Sequence, residues 1–451
     1  MSERKLFGTD GIRGVSGKYP LDGKTVRIIG ACAAKVLKHK KLKSLILIGR
    51  DTRQSGPAIA RNLSAALSAA GAEVWDLGVI PTPGVAYLAR KYPATAAAVI
   101  SASHNPYRDN GIKFFSHKGT KLPDSVEARI EKLIKASKPS AVKAKGANIK
   151  RKPALVREYE AFLESAFPEG ASLKGFKLVI DCANGATSCI AEELFSGLGA
   201  DVVALNASPD GVNINKDSGS LHPEALVSEV KKRGAYCGLA FDGDGDRIVF
   251  VDEKGDVRDG DYLLAIAALH LKRTGQLKNN LLVTTVMANL GLCRAMEKNG
   301  IKIKQTPVGD RYVFEEMLKS GAVIGGEQSG HMIFIEKLPT GDGMLSALQI
   351  LGIASMSGKP FSEVCSAVSK YPQILINTRV GRKVPLAELP LTSKAAAQAQ
   401  KKLDGDGRVL VRYSGTENLI RVMIEGKDKS EINMLARQIS DTAKQEIERR
   451  S

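Results

Sequence analysis

Asp242-Gly243-Asp244-Gly245-Asp246 sets three carboxylates two residues apart, with glycines between them that let a tight loop turn all three toward one point. Ligands that are all oxygen suit a hard divalent cation, Mg²⁺ above all, which keeps positions for water or phosphate. A calcium loop of the EF-hand kind is the alternative. Glu253 falls at its twelfth position, but Arg247 stands at the sixth, where the turn needs glycine, and Ile248 to Val251 reads as a strand.

Ser103 precedes His104 in a loop closed by Asn105-Pro106. There is no Gly-x-Ser-x-Gly elbow, and an adjacent Ser and His do not ordinarily face each other, so a hydrolase triad fits poorly. A serine that carries a phosphoryl group while a cation neutralises its charge fits better, because phosphoryl transfer depends on positioning and electrostatic stabilisation. This reading requires the serine loop and the acidic loop to meet in space.

Three further motifs offer polar groups. Gly8 to Gly14 packs glycines around Arg13 and is a weak signal alone. Arg412, Ser414, Gly415 and Thr416 combine a guanidinium, two hydroxyls and free backbone N–H groups, the donors a phosphate dianion takes, and Arg421 on the next strand adds a second cation. Glu327, Ser329 and His331 alternate around a glycine and suit sugar hydroxyls; they are too few and too mixed for a transition-metal cage. Lys113, on the strand after Ser103, is expected to point back toward the loop, where desolvation or nearby cations would lower its pKa for proton transfer.

The elements that must position these loops follow one repeated plan. Apolar runs predict strands at 45–48, 73–77 and 96–100 with helices at 58–70 and 83–91 between them, then a returning strand at 111–115. The order recurs with strands 178–180, 201–205 and 237–241, helices 188–198 and 223–233, and a return at 248–251. It recurs again with strands 281–286, 301–305 and 322–325, helices 290–299 and 310–319, and a return at 332–335. Parallel pairing is expected, with a polar loop after each last core strand, where ligands of α/β sheets sit. From about 370 the pattern changes to strands 373–379, 408–413 and 419–424 and a long charged helix. The fold class expected is three related α/β units with mixed sheets plus a smaller C-terminal α+β domain. Boundaries are expected at 1–150, 151–253, 254–369 and 370–451, carrying in turn the serine, metal, sugar and phosphate loops.

Taken in order, Gly8–Gly14, Ser101–Pro106, Asp242–Arg247, Gly326–His331 and Arg412–Glu417 resemble the signature motifs of the α-D-phosphohexomutase superfamily over essentially the whole chain. The resemblance implies that Ser103 is a phosphoserine and that Ser103, Asp242, Asp244 and Asp246 hold one Mg²⁺. It implies that the four domains line one central cleft, that Glu327 and Ser329 read sugar hydroxyls and that the last loop grips the phosphate that is not transferred. Arg13 and Arg247 join the catalytic set, with Lys113 or His104 moving the hydroxyl proton. The spelling of the Ser103 and Glu327 loops is similar to the bacterial branch acting on glucosamine phosphates, with glucosamine 1,6-bisphosphate as intermediate and activator and amino-sugar precursors for the cell wall as the outcome. Tyr413, where that branch often has proline, is a departure that leaves the phosphate donors in place. Mannose or glucose phosphates are the alternative substrates. A homodimer stays open, as does first loading of Ser103 by an activating kinase or by autophosphorylation.

Bulk properties agree. The net charge of +18 would draw any polyanion, but aromatic residues are only 5% with a single Trp75, which argues against stacking surfaces for nucleic acid. No apolar run approaches a membrane span, and the start lacks a secretory pattern, so no membrane partner and a cytoplasmic location are expected. The six scattered cysteines are expected to be reduced thiols.

Overall fold

The computed structural model describes residues 6–8, 10–38, 44–137, 148–414 and 418–449. They form two compact units, 1–287 with 301–367, and 288–300 with 368–451. Among the described residues the larger unit holds fifteen strands: β1 (Ile12–Val15), β2 (Leu45–Arg50), β3 (Glu73–Val79), β4 (Ala96–Ile100), β5 (Asp109–Ser116), β6 (Ile149–Arg151), β7 (Lys177–Asp181), β8 (Asp201–Leu205), β9 (Cys237–Phe241), β10 (Ile248–Asp252), β11 (Val257–Arg258), β12 (Leu281–Thr285), β13 (Lys302–Thr306), β14 (Ile324–Gly326) and β15 (Met332–Phe334). The smaller holds β16 (Gln373–Arg379), β17 (Gly407–Tyr413) and β18 (Leu419–Gly426).

Three sheets of the larger unit repeat one arrangement. Their orders are β1-β5-β4-β2-β3-β6, β11-β10-β9-β7-β8 and β13-β12-β14-β15. Each contains a parallel trio, β4-β2-β3, β9-β7-β8 or β14-β12-β13, flanked by one antiparallel strand, β5, β10 or β15. The chain therefore leaves the last parallel strand at its carboxyl end, makes a short loop and comes straight back. Those loops, 101–108, 242–247 and 327–331, are the three that carry the Ser103, aspartate and Glu327 motifs.

Alternation explains why β2 sits in the middle of its sheet. Ile46 and Ile48 join the core beneath the helices Gly23–Val36 and Gly56–Ala69, while Leu45 and Leu47 join the opposite core against the helix Thr82–Lys91. A period of two with apolar residues at both phases is what a strand covered on both faces requires. β4 goes further, with Ala96 to Ile100 wholly buried, its small side chains letting helices approach closely on either side.

Two expectations shift at their ends. The Gly8–Gly14 motif is not only a turn, since Ile12–Val15 pairs with β5 as an added edge strand. The expected helix at 188–198 is a 3-10 turn, Ala186–Cys189, followed by a short helix, Ala191–Gly197.

The helix Gly343–Ser357 is apolar almost all round and nearly wholly buried, and its N-terminus supports the aspartate loop: the Gly343 N–H donates to the Gly245 carbonyl at 3.0 Å. Asp342 caps it, accepting from the Leu345 N–H at 3.0 Å and from the Tyr159 hydroxyl at 2.8 Å. In the smaller unit, the helices Pro390–Lys402 and Lys429–Glu448 cover one face of the antiparallel sheet β16-β18-β17. The helix Leu290–Lys298, which follows β12 in sequence, belongs to this unit, where its N-terminal Leu290 N–H donates to Glu425 at 3.3 Å.

Replacing Asp342 by Ala removes a cap and leaves the buried Tyr159 hydroxyl without its acceptor, an expected cost of about 2–3 kcal/mol. Burial pushes the Asp342 carboxyl up to about 7. A raised folded pKa means that its contribution to stability is complete below about pH 4 and lost as pH rises through 7. Asp342→Asn, which keeps an acceptor and does not titrate, should therefore gain on the native protein across that window, measured by urea-denaturation midpoints at pH 5 and 8.

Candidate active site

The loops after β4 and β9 meet. Ser103 is 1% exposed, and its Oγ donates to Asp242 Oδ2 at 2.5 Å. The serine sits at φ +52°, in the left-handed region that a non-glycine residue adopts only when its surroundings hold it there. Its N–H donates to Ser101 Oγ at 2.9 Å, and its carbonyl accepts from Arg53 at 3.1 Å and from Asn215 Nδ2 at 2.8 Å. Arg53 and Asn215 also reach the Asn105 carbonyl. Arg53 is fully buried and paired with the equally buried Asp51, so a fixed guanidinium clamps the turn from behind.

Asp242, Asp244 and Asp246 are buried, with candidate ligand oxygens all within 4.8 Å of one another. Asp244 Oδ1 and Asp246 Oδ1 are buried and make no hydrogen bond among the described residues. Burial and then the charges of Asp246 and Asp244 push the Asp242 carboxyl well up. Crowded carboxylates with uncommitted oxygens, beside a hydroxyl, are the donor set a divalent cation neutralises, so the residues present fit Mg²⁺.

The loop is shaped from several sides. Thr82, at the start of its helix, donates its hydroxyl to Asp244 Oδ2 at 2.6 Å and its N–H to the Asp244 carbonyl at 2.8 Å. Gly245 has φ +73°, and a side chain on Gly243 would stand 2.7 Å from the Ser103 carbonyl oxygen and 2.8 Å from Asn215 Nδ2. Glycine at 243 is thus what lets the two loops touch.

Cations surround the carboxylates. Lys113, 1% exposed, reaches Asp244 at 2.9 Å, Asp10 at 3.0 Å and Asp246 at 3.7 Å. The expected lowering of its pKa is reversed: burial does lower it, but the charges of Asp10, Asp244 and Asp246 together outweigh burial and hold Lys113 as an ammonium. The neighbours expected to be cations are carboxylates. His104 Nδ1 lies 3.4 Å from Ser103 Oγ; burial, followed by the charges of Arg247 and Arg13, pushes this histidine down to about 4, so it is neutral at pH 7. Arg13 donates to Asn105 Oδ1 at 3.3 Å and pairs with Asp10. The Arg247 N–H donates to Asp242 Oδ1 at 3.2 Å.

The third loop joins the same place. The Ile248 N–H donates to the Gly330 carbonyl at 3.2 Å, fastening the aspartate loop to the Glu327 loop. Glu327 is buried and accepts from the Gly309 N–H at 3.0 Å, His331 is buried with Nε2 3.4 Å from Asp310, and Ser329 is exposed. A cavity of about 1200 Å³ opens beside the serine loop, lined by His104, Asn105, Arg108 and Lys216 among others. In the smaller unit Arg412 and Arg421 face each other across β17 and β18, and Ser414 is buried just after β17. Gly415 and Thr416 lie outside the described residues.

Four family models match in order: phosphoglucomutase/phosphomannomutase α/β/α domain I at residues 4–141, domain II at 158–255, domain III at 259–371 and the C-terminal domain at 375–442. The chain belongs to the phosphoglucomutase/phosphomannomutase family. It is similar to a phosphoglucosamine mutase of Geobacter sp. strain M21, 45% identical over 98% of each chain. The fold is that of a Burkholderia thailandensis member of the family (TM-score 0.80, 24% identity, covering 99% of this chain and 98% of that one). It is also that of Aspergillus fumigatus N-acetylphosphoglucosamine mutase, solved with GlcNAc-6P and magnesium (TM-score 0.71, 18% identity, 98% and 96% covered).

Around these loops, sequence reasoning passed over Asp51, Arg53, Thr82, Asn215 and Asp10. Asp51-Thr52-Arg53 did carry a signal, since it begins directly at the carboxyl end of a buried parallel strand. Asn215 and Thr82 carried none, because their partners are distant in sequence. Gly243→Ala is expected to push the Ser103 turn off the aspartate loop and weaken Mg²⁺ binding by roughly 10-fold or more. Isothermal titration with Mg²⁺ measures this, with the far-ultraviolet spectrum unchanged.

Proposed function

We propose that the chain is a phosphoglucosamine mutase, interconverting glucosamine 6-phosphate and glucosamine 1-phosphate. The observation that carries this reading is Ser103 Oγ held at 2.5 Å from Asp242 within the buried aspartate trio. Relatives that are phosphoglucosamine mutases, at 45% identity over nearly the full length, favour glucosamine phosphates over the mannose and glucose alternatives. The glucosamine 1-phosphate formed supplies amino-sugar nucleotide and cell-wall precursors.

In the reaction we envisage, the phosphoryl group on Ser103 passes to a free sugar hydroxyl. The bond from phosphorus to the serine oxygen breaks, a bond to the sugar oxygen forms, and the hydroxyl proton leaves. We assign His104, neutral and beside Ser103 Oγ, to take that proton and pass it to the serine oxygen as its bond to phosphorus breaks, and Lys113 as an ammonium and Arg247 to the oxygens on which charge accumulates. The bound glucosamine 1,6-bisphosphate turns end for end and returns its other phosphate to Ser103. Asp242, Asp244, Asp246 and Ser103 would hold one Mg²⁺, which when bound withdraws charge from phosphoryl oxygens. Glu327, Ser329 and His331 are assigned to sugar hydroxyls, and Arg412, Ser414, Gly415, Thr416 and Arg421 to the distal phosphate. The division at about 150, 253 and 369 is supported by the four matched segments. No helix among the described residues is long and apolar enough to cross a membrane, which is compatible with the cytoplasmic location proposed.

The test is a product assay with glucosamine 6-phosphate, Mg²⁺ and a trace of bisphosphate, in parallel with the mannose and glucose phosphates. Isomerisation of the amino sugar with the highest kcat/KM is expected, and a preference for mannose overturns the substrate. Ser103→Ala should lower turnover by roughly 10³-fold or more. Chelation of divalent cations should stop the reaction and added Mg²⁺ restore it.

A further inference from the structure

A half-buried ion bridge links the reacting end of the larger unit to its sugar loop, and no step above uses it. After β5 the chain turns at Gly119 (φ +70°), where a side chain would stand 2.6 Å from the Ala86 carbonyl oxygen, and folds back so that Lys121 bridges to Phe115. The turn carries Lys121 Nζ to 2.6 Å from Asp10 Oδ1 and 2.7 Å from Asp310 Oδ2. All three side chains are largely out of solvent, Lys121 at 13%, Asp10 at 21% and Asp310 at 15% exposed.

Each carboxylate has a second task. Asp10 holds Lys113 at 3.0 Å and pairs with Arg13, the cations beside the aspartate trio and the Ser103 turn. Asp310 opens the helix Asp310–Ser320 and stands 3.4 Å from His331 Nε2 in the sugar loop. The Gly309 N–H next to it holds Glu327 at 3.0 Å. The chain of contacts runs Lys113, Asp10, Lys121, Asp310, His331, and Lys121 is one link between the first sheet and the third, beside the pairs that Arg311 makes with Asp124 and Glu127.

We infer that Lys121 is a positioning residue for the mutase reaction, fixing the sugar-reading loop against the phosphoserine end through Asp10 and Asp310. Two half-buried carboxylates repel once the ammonium between them is gone, which drives the elements carrying them apart. Phosphoryl transfer loses rate steeply when reacting groups shift by about an ångström. The inference rests on the mutase reading, and the wild-type assay separates the two failures: a wild-type enzyme that does not isomerise phosphosugars sinks the reading itself.

With wild-type activity in hand, Lys121→Met keeps the length of the side chain and removes its charge. The expected result is a kcat/KM for glucosamine 6-phosphate lower by roughly 10-fold or more, with KM itself raised about 5-fold. A variant that merely folds less well loses active enzyme and therefore Vmax, and leaves KM where it was. Asp310→Asn cuts the same bridge from the other side, and the double variant should cost little more than either single change. An unchanged KM in Lys121→Met, or losses that simply multiply in the double variant, overturns the inference.

Discussion

Three carboxylates forced into one buried point are the constraint from which the rest follows. Asp242, Asp244 and Asp246 repel one another in a place where water cannot screen them, and the fold answers with charge of the other sign. Lys113 enters from the neighbouring sheet and Arg247 from the loop itself. The oxygens still uncommitted on Asp244 and Asp246 are those a divalent cation would use. A serine hydroxyl is pressed against this cluster and donates to Asp242.

Such a cluster needs rigid supports, and the repeated sheet plan provides them. In each sheet a parallel trio delivers a loop at its carboxyl end, and an antiparallel partner begins at once and pins the loop's far side. That leaves the Ser103, Asp242 and Glu327 loops short and tied at both ends. Contacts between sheets then set their spacing: Thr82 and Gly343 hold the aspartate loop, Arg53 and Asn215 hold the serine turn, and Gly243 keeps the two in touch. The strain at Ser103 is sustained because its carbonyl and N–H are all engaged.

Charge is arranged in layers around this centre. Lys113 and the trio form the innermost one, Asp10 binds Lys113 from outside, and Lys121 and Asp310 lie beyond. Burial alone would raise Asp10, but Lys113, Lys121 and Arg13 outweigh it and hold that carboxyl well below the usual range. Alternating signs let each buried ion find a partner on a different element, so packing of the sheets and electrostatic order reinforce each other.

Much of this was legible in the chain itself. Local signals placed the repeated strands to within a few residues, because apolar runs closed by glycine and polar loops report burial directly, and the aspartate spacing named its own chemistry. Tertiary structure alone decided which groups meet. The state of Lys113 is the clearest instance: its strand position was readable, but the sign of its pKa shift depends on Asp10, Asp244 and Asp246, which reach it through folding and not through sequence proximity. Arg53, Thr82 and Asn215 are likewise ordinary polar residues until the chain closes around Ser103. Periodicity records how each segment faces its core, whereas electrostatics depends on distances between segments, and those exist only once the sheets have packed.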